Sequence, residues 1–253
     1  MNATLTRLTA LGRAELTLLG RNRNNLFIAL LMPLLMILVL RSSVTQTAEG
    51  VSGGVAGATL VGGTGMVLLL VVYMGLVSAY VARREELVLK RLRTGEASDL
   101  EILGGAALPS AAIALAQCVV LAVGGVLALD VHAPRRPDLL LLGLVAAVAL
   151  LGGLAALTTV ITRNVESAGL TTLPLFLVSS MGSGMFVPRE ALPDVLETVC
   201  ALLPMSGVME FVRAGWFGAD DTGALVTAAL TTLAWGGITV FAVRRWFRWE
   251  PRR

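Results

Sequence analysis

The side chains able to do chemistry are few, and they are unevenly placed. The densest set is Arg83-Arg84-Glu85-Glu86-Leu87-Val88-Leu89-Lys90-Arg91-Leu92-Arg93-Thr94-Gly95-Glu96-Ala97-Ser98-Asp99-Leu100-Glu101, which holds the chain's single lysine. A second, sparser set (Arg189, Glu190, Asp194, Glu197, Glu210 and Arg213) is spread through a stretch carrying Pro188, Pro193 and Pro204. His132 is the single histidine, and Cys118 and Cys200 are the two cysteines. None of the usual catalytic sets can be assembled from these. A P-loop needs a lysine in GxxxxGK[ST], and Lys90 stands in Val88-Leu89-Lys90-Arg91-Leu92, so ATP binding by that route is excluded. HExxH, GxSxG and kinase-type patterns are absent. No CxxC or paired cysteine spacing supports a zinc site or a disulfide framework, and one histidine leaves metal chemistry almost no ligands. The chain is therefore expected not to be an enzyme and to carry no cofactor. What remains is non-covalent chemistry: ion pairing, hydrogen bonding and docking.

Three places invite such contacts. In residues 83–101 charges of both signs alternate with Leu87, Leu89, Leu92 and Leu100, which predicts a short amphipathic helix, a break at Thr94-Gly95 and a new helix capped near Ser98. The segment reads either as a docking surface for a protein partner or as a solvated basic loop. Glu210 and Arg213 are spaced i, i+3, so they can pair on one helix face; they read either as a structural pair or as an outer gate. Gln117 lies inside an apolar run and, unlike Thr158, Thr159, Thr171, Thr172, Ser179 and Ser180, cannot easily bond back to its own helix. It is the best single candidate for an interhelical or substrate contact.

The elements that position these residues are apolar runs at 25–40, 55–81, 103–129, 139–162, 168–187 and 223–243. A membrane-crossing helix needs about 20 such residues for a ~30 Å hydrocarbon core, and backbone groups in lipid must be satisfied internally. The expected fold is all-α: a polytopic membrane protein with six transmembrane helices in a single transmembrane domain spanning 1–253. With 56% hydrophobic and only 15% charged residues, the composition departs from soluble domains in the direction membrane burial requires. The first run, which contains Pro33 and has no convincing cleavage site after it, is expected to be a retained, kinked span rather than a signal peptide. The runs carry no centrally placed Asp, Glu, Lys or Arg, the usual mark of ion coupling.

Loop charge fixes the expected orientation. With both termini cytoplasmic, the inner segments hold 15 of the 20 basic residues and 8 of the 17 acidic ones, a net +7 against −4 outside. That is the arrangement the positive-inside rule prefers. The overall +3 is then a sum of two opposed faces and points to anionic lipid, not nucleic acid. Before the first span, Leu5, Leu8, Leu16 and Leu19 share a helical face with Arg7, Arg13 and Arg21 off it, so residues 4–22 are expected to lie as an interfacial helix. The tail Arg244-Arg245-Trp246-Phe247-Arg248-Trp249 reads as an interfacial anchor. Residues 188–222, interrupted by proline and charge, are expected to form short re-entrant or interfacial helices on the outer side. Glycines such as Gly57, Gly62, Gly125 and Gly153 suit close helix packing or the lining of a path.

Taken in order, this layout resembles the permease subunit of type-2 ATP-binding-cassette exporters, in particular a drug- and antibiotic-resistance-like branch. Two patterns carry the resemblance. Arg84-Glu85-Glu86 followed by Leu89-Lys90-Arg91-Leu92-Arg93-Thr94 is similar to the family's RE-x-G-T-L-x-R-L-x-x-T-P stretch, with Leu87-Val88 where the family often has Gly-Thr and Gly95 where Pro is common. Met185-Phe186-Val187-Pro188, Leu192-Pro193, Leu203-Pro204 and Glu210 to Arg213 are similar to its F-x-P-x-x-x-L-P … x-P … R stretch. The resemblance implies a bacterial plasma (inner) membrane protein, a separate ATPase subunit and a second permease chain, identical or different. It also implies an ATPase-coupling interface at Arg83, Arg84, Glu85, Glu86, Lys90, Arg91 and Arg93. The implied cargo is an amphipathic small molecule, drug or lipid-linked substrate; a chain only 5% aromatic is poorly equipped to stack sugars. An ATP-independent carrier or channel, which would want intramembrane charge or a polar ring, and a non-transporting scaffold are the alternatives.

Overall fold

A computed structural model describes residues 54–94, 98–129, 131–185, 193–219, 221–247 and 249–250. Among these residues every regular element is helical. The expected interfacial helix at 4–22 and the expected first span at 25–40 lie outside them.

The run at 55–81 is one long rod: α1 (Gly54–Val67), a π-helical stretch (Leu68–Met74) and α2 (Gly75–Glu85). The short α3 (Val88–Arg93) follows, then α4 (Asp99–Ala128), α5 (Pro137–Ile161) and α6 (Val165–Gly182). Next come α7 (Asp194–Ala201), α8 (Pro204–Phe217) and α9 (Thr222–Trp246). Four rods, Ala56–Glu85, α4, α5 and α9, are long and apolar enough to cross a membrane. The run at 168–187 is realised as the shorter α6, whose 18 residues include Glu166 in the first turn; at 1.5 Å per residue it is about 27 Å long. Helices α7 and α8 meet at a bend of 87°. The described residues thus hold four membrane-length helices, or five with the bent pair as one span, against six apolar runs in the sequence.

Local chemistry explains where these helices start. Ser98 caps α4 in a reciprocal capping box with Glu101: Ser98 N–H donates to Glu101 Oε2 at 2.7 Å and Glu101 N–H to Ser98 Oγ at 3.4 Å. Asn164 and Ser167 do the same for α6. Pro137 and Pro204 occupy the first positions of α5 and α8, where a missing N–H costs nothing.

The core is a single apolar cluster built from the rod, α4, α5 and α8. Small residues set how closely the helices approach. A Cβ at Gly207 would stand 2.5 Å from Ala228 O, and one at Gly215 would stand 2.5 Å from Leu140 N, so α8 is pressed against the backbones of α9 and α5. Gly57, Gly62, Gly125 and Gly153 are likewise in packing contact, with Phe217, Met185, Leu60 and Thr239 respectively. Because backbone cannot move aside, Gly215→Ala is expected to lower stability by about 1–3 kcal/mol. Gly236→Ala, whose Cβ would meet nothing within 4 Å, should hold or raise it, by up to about 1 kcal/mol. Thermal unfolding of the two purified variants beside the parent checks this.

Candidate functional site

The two helices flanking the charged segment are the longest in the described chain. Ala56–Glu85 and α4 have 30 residues each, about 45 Å at the α-helical rise. That overshoots a ~30 Å hydrocarbon core, so their shared end, with α3 between them, can stand clear of it. The last carbonyls of α5 and the tail after α9 meet the same end, and Arg83, Arg84, Lys90, Arg91, Arg93, Arg163, Arg244 and Arg245 gather there as a basic pole. At the opposite pole the loop before α5 closes onto the end of α8: Arg136 N–H donates to Gly215 O at 2.9 Å and Arg135 Nη1 to Phe217 O at 3.0 Å.

Arg84 is only 1% exposed. Its guanidinium donates to Thr159 O at 2.8 Å, Thr162 O at 2.7 Å and Arg163 O at 3.3 Å. The last carbonyls of a helix have no partner within it and carry a partial negative charge. Arg84 meets both needs for α5. The chain turns at once into α6 through the Asn164 cap, so one side chain at the end of α2 grips the whole α5–α6 elbow. This corrects the expectation from the sequence: Arg84 points inward and is not available to a partner on the surface. The signal was present in the spacing. Leu76, Val77, Tyr80 and Val81 are buried on one face of α2, and Arg84 continues that face at i+8, i+7, i+4 and i+3. Higher on the same rods, Tyr80 Oη donates to Leu103 O at 3.0 Å, and Tyr73 Oη and Thr158 Oγ1 share a bond of 3.0 Å.

Helix α3 is fixed at both ends. Leu87, which precedes it, has φ 59° and ψ 14°, the left-handed region that disfavours every residue with a Cβ. Leu89 is fully buried and holds α3 against its neighbours α2 and α4. The glycine that the related pattern carries at position 87 suits this backbone. Leu87, 40% exposed, loses little by truncation. Leu87→Gly is therefore expected to hold or raise the stability, by up to about 1 kcal/mol, and Leu87→Ile to lower it, as thermal unfolding would read.

The charges on α3 divide into two groups. Lys90 Nζ lies 2.7 Å from Glu250 Oε1, and Arg93 Nε lies 3.4 Å from Asp99 Oδ1 with its guanidinium 4.9 Å from the centre of the Trp249 ring. Trp249 in turn packs edge-on against Phe247. The tail thus folds back onto α3, and Trp249 sits under Arg93 rather than serving only as an interfacial anchor. Sequence reasoning missed this contact, because nothing in the spacing joins residue 249 to residue 93. Exposed ion pairs of this kind contribute little and exchange readily for a partner's charges. Glu85, Glu86 and Arg91 are exposed and make no ion pair among the described residues.

The other expected contact residues are not brought to this pole. Gln117 is buried, 18 residues along α4 from Asp99, about 27 Å at the helical rise. Glu210 and Arg213 are half-buried on α8 with Nη1 to Oε2 at 3.9 Å, within ion-pair reach as the i, i+3 spacing requires. What the pole offers is mechanical: an exposed basic helix, with Glu85 and Glu86 just before it, joined to a long rod and through Arg84 to a second pair of helices.

Residues 6–217 match the family model described as ABC-2 type transporter. None of the curated proteins matches the chain.

Proposed function

This chain belongs to the ABC-2 type transporter family, and we propose that it is the permease of an ATP-driven exporter whose ATPase is a separate subunit. Family membership makes it a membrane-embedded transport component that is not itself catalytic, of a kind that normally works with an ATPase partner. The observation that carries the finer reading is the α3 hairpin. It presents Glu85, Glu86 and Arg91 outward, and behind it Arg84 ties α2 to the α5–α6 elbow.

On this reading the basic pole is cytoplasmic, in a bacterial inner membrane with both termini on that side. Residues 83–101 receive the ATPase, with Arg83, Lys90 and Arg93 completing the docking set. Closure of the ATPase pair pushes α3. Because Leu89 holds α3 against α2 and Arg84 ties α2 to the α5–α6 elbow, the push moves the Ala56–Glu85 rod together with α5 and α6 as a rigid-body switch. The π-helical stretch Leu68–Met74 lies midway along that rod, where such irregularities often mark functional sites. A second permease chain completes the pathway. Glu210 and Arg213, away from the basic pole, gate the outer exit, and the cargo is an amphipathic small molecule, drug or lipid-linked compound.

Mild-detergent purification of the tagged chain from its own membranes tests the partnership. Recovery of a P-loop ATPase in near-equal amount is the expected result. A homo-oligomer that never retains an ATPase, with or without nucleotide, would support the carrier or scaffold alternatives instead.

A further inference from the structure

A groove of about 490 Å³ runs between α4, α5 and α9, within the size range of small-molecule sites. Its lining is apolar apart from Tyr80, Thr232, Thr239 and Arg244. Along α9 it extends from Thr232 to Arg244, about 18 Å at the helical rise, close to one leaflet of a ~30 Å hydrocarbon core. Glycines hold it open: a Cβ at Gly104 or Gly236 would meet nothing within 4 Å. Its rims are apolar and exposed, with Leu100 60% and Val240 45% exposed.

The charge at one end of the groove points to an anionic occupant. Arg244 lines the groove at the basic pole and makes no ion pair among the described residues; the same holds for its exposed neighbour Arg245.

We propose that this groove holds one acyl chain of an anionic phospholipid from the leaflet that contains Arg244, with the lipid phosphate on Arg244. The length, the apolar lining and the unneutralised cation at one end together match an anionic lipid better than a free anion, which needs no groove, or a neutral lipid, which needs no cation. The proposal is independent of the exporter reading, since it requires only that the chain be in a membrane.

The full chain is reconstituted in vesicles with a trace of phosphatidylglycerol carrying a diazirine midway along one acyl chain, and in parallel with the matched phosphatidylcholine. After illumination, labelled peptides are mapped. Labelling is expected to concentrate on residues 100–108 and 232–244, and to favour the phosphatidylglycerol probe by roughly fivefold or more, the preference one interfacial cation gives. Gly236→Leu and, separately, Gly104→Leu should remove most of that labelling by filling the groove. Arg244→Gln should abolish the headgroup preference and leave the labelling itself. Labels spread evenly over the exposed faces of α4, α5 and α9, or unchanged by both leucines, would overturn the site. Equal labelling by both probes in the parent chain would overturn its anionic specificity.

Discussion

Arg84→Met is expected to lower the stability of the purified chain by about 3 kcal/mol, while the charge reversals at Glu85 and Glu86 discussed below leave it unchanged. Methionine keeps the apolar bulk of the buried stem. It leaves Thr159 O, Thr162 O and Arg163 O without their donor, and each buried acceptor left unmade costs about 1–3 kcal/mol. Relief of the buried guanidinium's own desolvation offsets part of the sum. For a chain of this length the expected drop in thermal midpoint is roughly 6–12 °C, at 2–4 °C per kcal/mol. Arg84→Lys should recover only part, because an ammonium lacks the fork that reaches several carbonyls together. Thermal unfolding in mild detergent reads the effect. If Arg84 were a surface docking residue, the same substitution would weaken a partner's binding and leave the midpoint where it was.

The reversal Glu85→Lys with Glu86→Lys is expected to do the opposite: export falls tenfold or more, and membrane level and thermal midpoint stay at the parent's values. Both carboxylates are exposed and without ion pairs among the described residues, so the fold has little to lose. A partner surface complementary to them would instead meet like charge, which costs several kcal/mol at an interface, more than the 1.4 kcal/mol that a tenfold loss requires. Export measured in cells, normalised to the amount of chain in the membrane, is the readout. Unchanged export by the double reversal would remove these two residues from the coupling interface.

Much of this architecture is legible in the sequence, because lipid imposes simple rules on length and polarity. The runs at 55–81, 103–129, 139–162 and 223–243 became helices, and the start of α4 followed from Ser98 with Glu101 three residues later. The run at 168–187 was less well delimited: it folds as Val165–Gly182, where the Asn164 cap sets the start and Ser183-Gly184 the end. The 87° bend between α7 and α8 was foreshadowed by Pro204. Arg84 misleads because charge content suggests exposure, whereas its place on the buried face of α2 decides otherwise. Tail contacts such as Trp249 with Arg93 and Glu250 with Lys90 join residues 156 and 160 positions apart, which no local pattern encodes. The groove beside α9 has no sequence signature either, since Gly104, Gly153 and Gly236 acquire meaning only when three helices are set side by side.

The most direct test of coupling through α3 is site-specific photocrosslinking from position 91 in native membranes. Arg91 is exposed and unpaired among the described residues, so a photoreactive phenylalanine there should leave the fold intact. Leu230 on α9, 63% exposed on an apolar face, provides the lipid-facing control. Crosslinking of position 91, and not of position 230, to a P-loop ATPase, with a yield that changes when ATP is added, is the expected result. A position-91 variant that still exports yet never crosslinks to an ATPase would contradict the docking of the motor on α3.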